Sequence, residues 1–197
     1  MNDIEIRQSF HKKRLKRHHA NKATLVIDEL GLNHGRCRAD IAVVNGHLVG
    51  YEIKSDSDSL RRLEEQVISY NSVFDRAFVI VGERYAESVK NYVPHWWGVI
   101  LSTKGPRGGI DFRSLRKAQR NDSVDPISIA RLLWRNEAAK ILQHKNLSAK
   151  KLRQPRAVLY EYLASVFSTR ELQKTVREHL KKRKNWRDLE SPSPQDD

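Results

Sequence analysis

The stretch that decides the predicted fold is Arg-Ala-Asp-Ile-Ala-Val-Val-Asn-Gly-His-Leu-Val-Gly-Tyr-Glu-Ile-Lys, residues 38–54. Its two ends, residues 38–44 and 48–54, have the composition of β-strands, and Asn45-Gly46 between them is a strong hairpin signal because both residues tolerate a positive φ. The stretch therefore predicts two adjacent antiparallel strands joined by a tight turn.

Two carboxylates and a lysine lie on this hairpin. Symmetric pairing about the turn places Asp40 opposite Tyr51, beside Glu52, and a bulge or a wider loop would bring the two carboxylates together. Glu52 and Lys54 are two residues apart, so their side chains share one face of the strand. The side chain of Ile53 points the other way, but its carbonyl remains available to a cation.

This grouping predicts a divalent metal site. Two carboxylates and a backbone carbonyl offer the hard oxygen ligands that suit Mg²⁺ (or Mn²⁺). Such an ion lowers the pKa of a bound water and stabilises negative charge on a phosphoryl oxygen. Beside it, Lys54 can orient the attacking water or offset charge at the scissile phosphate.

The surrounding sequence predicts an α/β body followed by helices. Hydrophobic periodicity indicates a basic helix over 5–20 and a further helix after the capping residues 55–59, to about residue 74. Apolar runs predict further strands, and helical spacing resumes at Asp125. We therefore expect an α/β domain over 1–112, a basic helical module over 113–189 and a disordered acidic tail over 190–197. The other predicted elements are strands at 24–30, 77–81, 97–101 and 110–112, a short helix at 83–92, and helices from 125, at 155–167 and at 168–184.

Charge is distributed unevenly along the chain. The net charge is +13, and residues 104–197 carry 22 Lys and Arg against 11 Asp and Glu, whereas residues 1–103 carry 15 against 13. An excess of cations attracts polyanions and releases counterions from them on binding. The excess therefore predicts a nucleic-acid partner, and it leaves open a merely solvated basic surface or an anionic protein partner.

The order of these residues resembles the PD-(D/E)XK nuclease superfamily. Asp40 is followed by Glu52-Ile53-Lys54, and Gln66-Val-Ile-Ser-Tyr70 resembles the Q-x-x-x-Y motif of the RecB-like branch. More narrowly, the chain is similar to an uncharacterised bacterial family within that superfamily. The resemblance implies a restriction-endonuclease-like mixed β-sheet flanked by helices, Mg²⁺ or Mn²⁺ as the cofactor, and hydrolysis of phosphodiester bonds.

The sequence departs from the superfamily pattern at two places. Ala39 stands where a proline usually precedes the aspartate, and the upstream acidic residue falls in a predicted strand rather than on the first helix. Asp28 and Glu29 point to opposite faces of that strand, and we choose Glu29 for the site because the Gly31 loop follows it. The predicted catalytic residues are Asp40, Glu52, Lys54, Glu29 and Gln66, and the predicted metal ligands are Asp40, Glu52, Glu29 and the carbonyl of Ile53.

Contacts with nucleic acid are predicted on both parts of the chain. Arg38 alternates with Asp40 on one strand face, which places it where it can reach a phosphate near the site. The basic faces of the C-terminal helices can follow a phosphate backbone. The predicted nucleic-acid-binding residues are Arg36, Arg38, Tyr70, Lys150, Lys151 and Arg153.

These observations together predict a metal-dependent nuclease, a phosphodiester hydrolase with DNA as the expected substrate, and they leave open RNA as the substrate and the choice between an endonuclease and an exonuclease. The alternatives are a nucleic-acid-binding module that keeps the fold but does not cut, and an interaction subunit of a DNA repair or defence assembly. A second copy of the chain or a partner protein is left open. The single cysteine, Cys37, indicates a reducing compartment, and the absence of a long apolar run indicates a cytoplasmic protein with no membrane span.

Overall fold

The computed structural model describes residues 1–183, and six strands in them form one mixed sheet. The strands lie side by side in chain order; the first three pair antiparallel, the third to fifth run parallel, and the sixth returns antiparallel. The predicted mixed sheet flanked by helices, with further helices towards the C-terminus, is confirmed. The strands are β1 (Leu25–Leu32), β2 (Cys37–Val44), β3 (Leu48–Lys54), β4 (Arg76–Val81), β5 (Gly98–Lys104) and β6 (Ile110–Arg116).

Residues 1–183 contain eight α-helices, and those that contribute to the two hydrophobic cores flank the sheet. The helix predicted over 5–20 is two helices, because Leu15 follows Phe10 by five residues. Five residues turn a continuous helix by about 140°, so Leu15 reaches the core beside Phe10 only where the helix ends. The helices are α1 (Asp3–Lys13), α2 (Lys16–Ala20), α3 (Leu63–Asn71), α4 (Pro126–Ala130), α5 (Arg135–Gln143), α6 (Ala149–Leu152), α7 (Arg156–Val166) and α8 (Thr169–Lys182), with 3-10 turns at Leu60–Arg62, Glu83–Tyr85 and Ser88–Asn91.

The two faces of the sheet carry separate cores. On β2, the side chains of Ile41 and Val43 meet α1, whereas Ala42 and Val44 belong to the larger core on the other face. This alternation follows from the period of two in a strand. The larger core includes α3, α4, α5, α7 and α8.

Helix α8 is held against the sheet by contacts with the buried side chain of Asp75. Asp75, just before β4, accepts hydrogen bonds from the backbone N–H of Leu48 (2.6 Å) and from Gln173 on α8 (2.7 Å). Arg177, also on α8, lies 3.5 Å from the same carboxylate. The division between 1–112 and 113–189 stays a prediction, and the predicted tail over 190–197 lies outside the described residues. Across residues 1–183, no helix is both long enough and apolar enough to cross a membrane.

Candidate functional site

The hairpin that carries the predicted site has a wider loop than expected. Ile41 pairs with Tyr51, one residue away from the predicted register, and continuing this register carries Asp40 towards Glu52. The cause is a loop of three residues, 45–47, in which the first backbone N–H donates to the last carbonyl at 3.0 Å. The sequence left open a symmetric pairing and a wider loop. The structure has the wider loop, which places the two acidic residues nearer each other than symmetric pairing of Asp40 with Tyr51 would.

Glu52 is enclosed by donors from three directions. Its side chain is 1% exposed, and its Oε1 accepts hydrogen bonds from the ammonium of Lys54, at 2.7 Å, and from the amide of Gln66. The hydroxyl of Tyr70 donates to Oε2 at 2.7 Å. Burial raises the pKa of Glu52, whereas the Lys54 charge and these hydrogen bonds act in the opposite direction. Both carboxylate oxygens are thus occupied by donors of the chain itself.

Asp40 is bound in a similar way at the end of the hairpin. Its Oδ2 accepts the backbone N–H of Ile53 at 2.6 Å, and its Oδ1 accepts a hydrogen bond from the guanidinium of Arg7 on α1 at 3.2 Å. Burial and the neighbouring charge of Glu52 raise the pKa of Asp40 to about 8, despite the opposing effects of the Ile53 N–H and Arg7. The carboxyl group therefore holds its proton into the neutral pH range.

Glu29 reaches the site through a local irregularity of β1. Its φ is 55°, in the left-handed region, and the pairing of β1 with β2 skips it. Its carboxylate lies 2.5 Å from Arg7 and 3.5 Å from Arg38. Asp28 instead contacts His11 at 2.9 Å. The structure thus brings Glu29, and not Asp28, to the predicted site.

These side chains line one open cavity of about 560 Å³. All five predicted catalytic residues, which are Glu29, Asp40, Glu52, Lys54 and Gln66, line this cavity. Sequence reasoning missed Arg7 because a basic residue on a basic helix is typical of a solvated surface. The lining residues are Asp3, Arg7, Glu29, Asp40, Glu52, Ile53, Lys54, Asp58, Ser59, Arg61, Arg62 and Gln66.

The acidic side chains as placed do not fit a divalent ion. The oxygens of Asp40 already accept hydrogen bonds from Arg7 and from the Ile53 N–H. Those of Glu52 accept hydrogen bonds from Lys54 and Tyr70. In the part of the chain that the structure describes, no three Asp, Glu, His or Cys side chains are grouped closely enough to hold a metal. Mg²⁺ or Mn²⁺ at Asp40, Glu52, Glu29 and the Ile53 carbonyl stays a prediction.

The raised pKa of Asp40 predicts a pH-dependent stability. A carboxyl whose pKa is higher in the folded state binds its proton more strongly there, so stability falls as pH rises from the unfolded pKa to the folded one. We expect Asp40→Asn to remove this decline, so that the variant gains at least ~1 kcal/mol relative to the wild type between about pH 5 and about pH 8. Urea unfolding across this range measures the difference, and parallel curves for the two proteins would refute the assignment.

The predicted nucleic-acid contacts fall into two groups. Tyr70 is wholly buried, so the prediction that it contacts nucleic acid is wrong: its hydroxyl is aimed at Glu52 and its ring packs against Trp97. The other predicted contacts are exposed, and they lie in the β1–β2 loop, near the start of β2 and around α6. They are Arg36, Arg38, Lys150, Lys151 and Arg153.

Two half-buried arginines, Arg131 and Arg156, lie near the exposed Arg36 at the β1–β2 loop. His34, in that loop, stacks on Tyr160 of α7 with ring centroids 5.6 Å apart. Burial, then the charges of Arg156, Arg131 and Arg36, hold the pKa of His34 below its ordinary value. The loop and the C-terminal helices thus bring three guanidinium groups near one imidazole. No local sequence pattern signals this convergence, which depends on the packing of α7 against the loop.

Two individual proteins share similarity with the chain. Protein cII of Enterobacteria phage P4 is 30% identical over 94 residues, which are 48% of this chain and 35% of that protein. The match therefore spans about a third of the relative's length. SfsA of Pyrococcus furiosus, solved in complex with Ca²⁺, matches 59% of this chain and 65% of its own at 15% identity, with a TM-score of 0.37. A structural likeness this weak carries no functional argument.

The family comparison overturns the predicted activity. The model of the family described as bacteriophage P4 protein cII matches residues 5–190. Neither that description nor the name of the phage relative denotes a nuclease. The family is named after a phage protein, so the predicted membership of an uncharacterised bacterial family is not supported. The prediction of a metal-dependent nuclease, hydrolase and endonuclease is therefore wrong, and the cleavage roles assigned to the site residues are withdrawn with it. Because the match extends over nearly the whole length, the chain belongs to the bacteriophage P4 protein cII family.

Proposed function

We propose that this chain is a nucleic-acid-binding protein that does not cleave its ligand. The observation that carries the proposal is a run of 23 residues, 138–160, with six Lys and Arg and no Asp or Glu. We call this run the basic segment. A surface of this composition attracts phosphates, because each cation that neutralises a phosphate releases a counterion. Its cations are Lys140, Lys145, Lys150, Lys151, Arg153 and Arg156.

The basic segment displays its cations on folded structure. Lys145 lies over the ring of Phe167 with its ammonium 4.5 Å from the centroid, and Lys151 lies over the ring of Tyr162 at 5.3 Å. Contacts of this kind attract each ammonium group to the face of an aromatic ring while the lysine side chain stays exposed to water. The side chains are therefore partly ordered before a ligand arrives, which reduces the entropic cost of binding.

The β1–β2 loop extends this surface towards the sheet. Arg36 in the loop and Arg131 after α4 act on the same imidazole of His34, and Arg131 donates a hydrogen bond to Asn33 at 3.1 Å. Guanidinium groups suit phosphate because they present paired donors in one plane. We therefore propose that the phosphate backbone runs along the basic segment and across this loop.

The α/β body is proposed to be related to the PD-(D/E)XK superfamily while serving a structural role. Support comes from the convergence of Asp40, Glu52, Lys54 and Gln66 on one cavity in the order that the resemblance implies. The carboxyl groups of Asp40 and Glu52 accept hydrogen bonds from Arg7, Lys54 and Gln66 rather than pointing unpaired into the cavity. A centre satisfied in this way stabilises the hairpin, and the binding function lies on the basic helices.

The test measures binding and ligand length on the same samples. Labelled duplex DNA, single-stranded DNA and RNA are incubated with the protein in Mg²⁺ and in Mn²⁺, then separated on native and on denaturing gels. We expect at least one ligand to be retarded on the native gel and to keep its full length on the denaturing gel. Absence of retention on all ligands at low salt would contradict the proposal. So would shortened products that wild type forms and Lys54→Ala does not.

A further inference from the structure

Trp134 places an exposed aromatic ring next to the basic segment. It stands immediately before α5 and is 40% exposed, whereas a tryptophan side chain is ordinarily mostly buried. The guanidinium of Arg183 lies over its ring, 4.1 Å from the centroid. The cation covers one face of the indole, so the exposed surface is available on the rest of the ring.

The side chain of Arg183 is itself held in place beneath the ring. It is 5% exposed and donates hydrogen bonds to both carboxylate oxygens of Glu137, at 2.8 and 2.5 Å, and to the carbonyl of Leu132 at 2.7 Å. The backbone N–H of Trp134 donates to the same Glu137 carboxylate at 2.8 Å. The ring therefore needs little ordering when a ligand arrives, which reduces the entropic cost of binding.

The turn that carries the ring lies between the two parts of the proposed phosphate path. On one side, the hydroxyl of Tyr160 donates to the carbonyl of Leu133 at 2.9 Å, and the Tyr160 ring stacks on His34 in the β1–β2 loop. On the other side, Arg135 donates to the carbonyl of Gln154, in the basic segment, at 3.2 Å. A strand whose phosphates follow this path would carry its bases past the exposed indole.

We propose that Trp134 is a stacking platform for an unpaired base, so that the ligand of the basic segment is single-stranded nucleic acid. This inference rests on the proposed nucleic-acid binding and adds to it the state of the strand. Every base has a π-face, so stacking on an aromatic ring does not require a particular base sequence. In a duplex the bases are already stacked on one another, and a side chain cannot reach their faces without extruding them.

The test compares wild type with Trp134→Ala by fluorescence anisotropy at low salt, on labelled ligands of one length. The ligands are single-stranded DNA, single-stranded RNA of the same base sequence, a DNA strand made of abasic sites, and duplex DNA. On the single strand that wild type binds better, we expect Trp134→Ala to bind about 5-fold or more weakly. Affinity for the abasic strand and for the duplex should stay within about 2-fold, because neither offers an unstacked base.

Matched variants identify the aromatic face as the cause. Trp134→Phe keeps a ring and should keep most of the affinity for the single strand. Trp134→Leu keeps apolar bulk without a π-face, and it should lose as much affinity as Trp134→Ala. Tyr92→Ala removes another ring of similar exposure, 39%, which lies between the last 3-10 turn and β5, and it should leave the affinity unchanged.

Two results would overturn the inference while leaving nucleic-acid binding in place. One is an equal loss of affinity on the abasic strand or the duplex, since the ring would then support the fold rather than a base. The other is an unchanged affinity of Trp134→Ala for the single strand. If Trp134→Ala does not fold, Trp134→Leu provides the same comparison. Failure of wild type to bind any of the four ligands would contradict the proposed function and this inference together.

Discussion

Replacing Lys54 by methionine should lower the free energy of unfolding by about 3–5 kcal/mol. Lys54 is 6% exposed, and its ammonium lies 2.7 Å from a carboxylate that is 1% exposed. Methionine keeps the length of the side chain but removes the charge, so that Glu52 is left without its cation inside the protein. Breaking a buried ion pair from one side is strongly destabilising because the remaining charge has neither bulk water nor a counter-ion.

Two comparisons make this prediction specific to the buried pair. The double variant Lys54→Met with Glu52→Gln should recover much of the stability, because no charge then remains buried. Lys90 forms an exposed ion pair with Glu87, in which Lys90 Nζ lies 2.9 Å from Glu87 Oε2. Lys90→Met removes this lysine and should change the free energy of unfolding by less than about 1 kcal/mol. Urea unfolding of the variants measures these differences. A destabilisation under about 1 kcal/mol for Lys54→Met would show that the pair is hydrated in solution.

Neutralising four exposed cations of the basic segment should weaken nucleic-acid binding by at least ~10-fold at low salt. The variant replaces Lys145, Lys150, Lys151 and Arg153 by alanine. The slope of the logarithm of the binding constant against the logarithm of the salt concentration should also become less negative. The expected change is about one for each phosphate that the variant no longer neutralises. Fluorescence anisotropy with a labelled oligonucleotide measures both quantities.

A matched variant separates this surface from charge in general. Lys12, Lys16, Arg17 and Lys22 are also exposed, and they belong to the helices α1 and α2 and the turn before β1. Helix α1 covers the sheet face opposite to the C-terminal helices. Removing these four charges changes the net charge by the same amount and should leave most of the affinity. Equal reductions of affinity in the two variants would mean that net charge alone attracts the ligand. That result would contradict the proposal that the basic segment binds it.

Local patterns predicted most of the fold. The bounds of β3 agree with the apolar and aromatic run at 48–54, and the Ser168 side chain caps α8 with Glu171 as the capping-box spacing indicates. The sequence left the hairpin register open, because Asn45-Gly46 favours a two-residue turn, whereas in the structure His47 also belongs to the loop. Such a shift of one residue depends on packing across strands, which a single segment does not encode.

The sequence predicted which residues lie together at the cavity, but it did not predict the hydrogen bonds that they form there. The motifs correctly grouped Asp40, Glu52, Lys54 and Gln66, because strand and helix periods fix which faces meet. The carboxyl group of Asp40 contacts Arg7, which lies on a helix distant in the sequence. The only local trace of it is the spacing of four residues from Asp3, which forms an ordinary helical ion pair. A motif thus located these residues without showing that their oxygens are already occupied.

The most direct test of phosphate-driven binding is the salt dependence of the wild-type affinity. The logarithm of the binding constant is measured against the logarithm of the salt concentration on the ligand that is retained best. For duplex DNA we expect a straight line with a slope of about −3 or steeper, which corresponds to three or more phosphates neutralised by the protein. Affinity that stays constant over the same range would contradict binding through the basic segment.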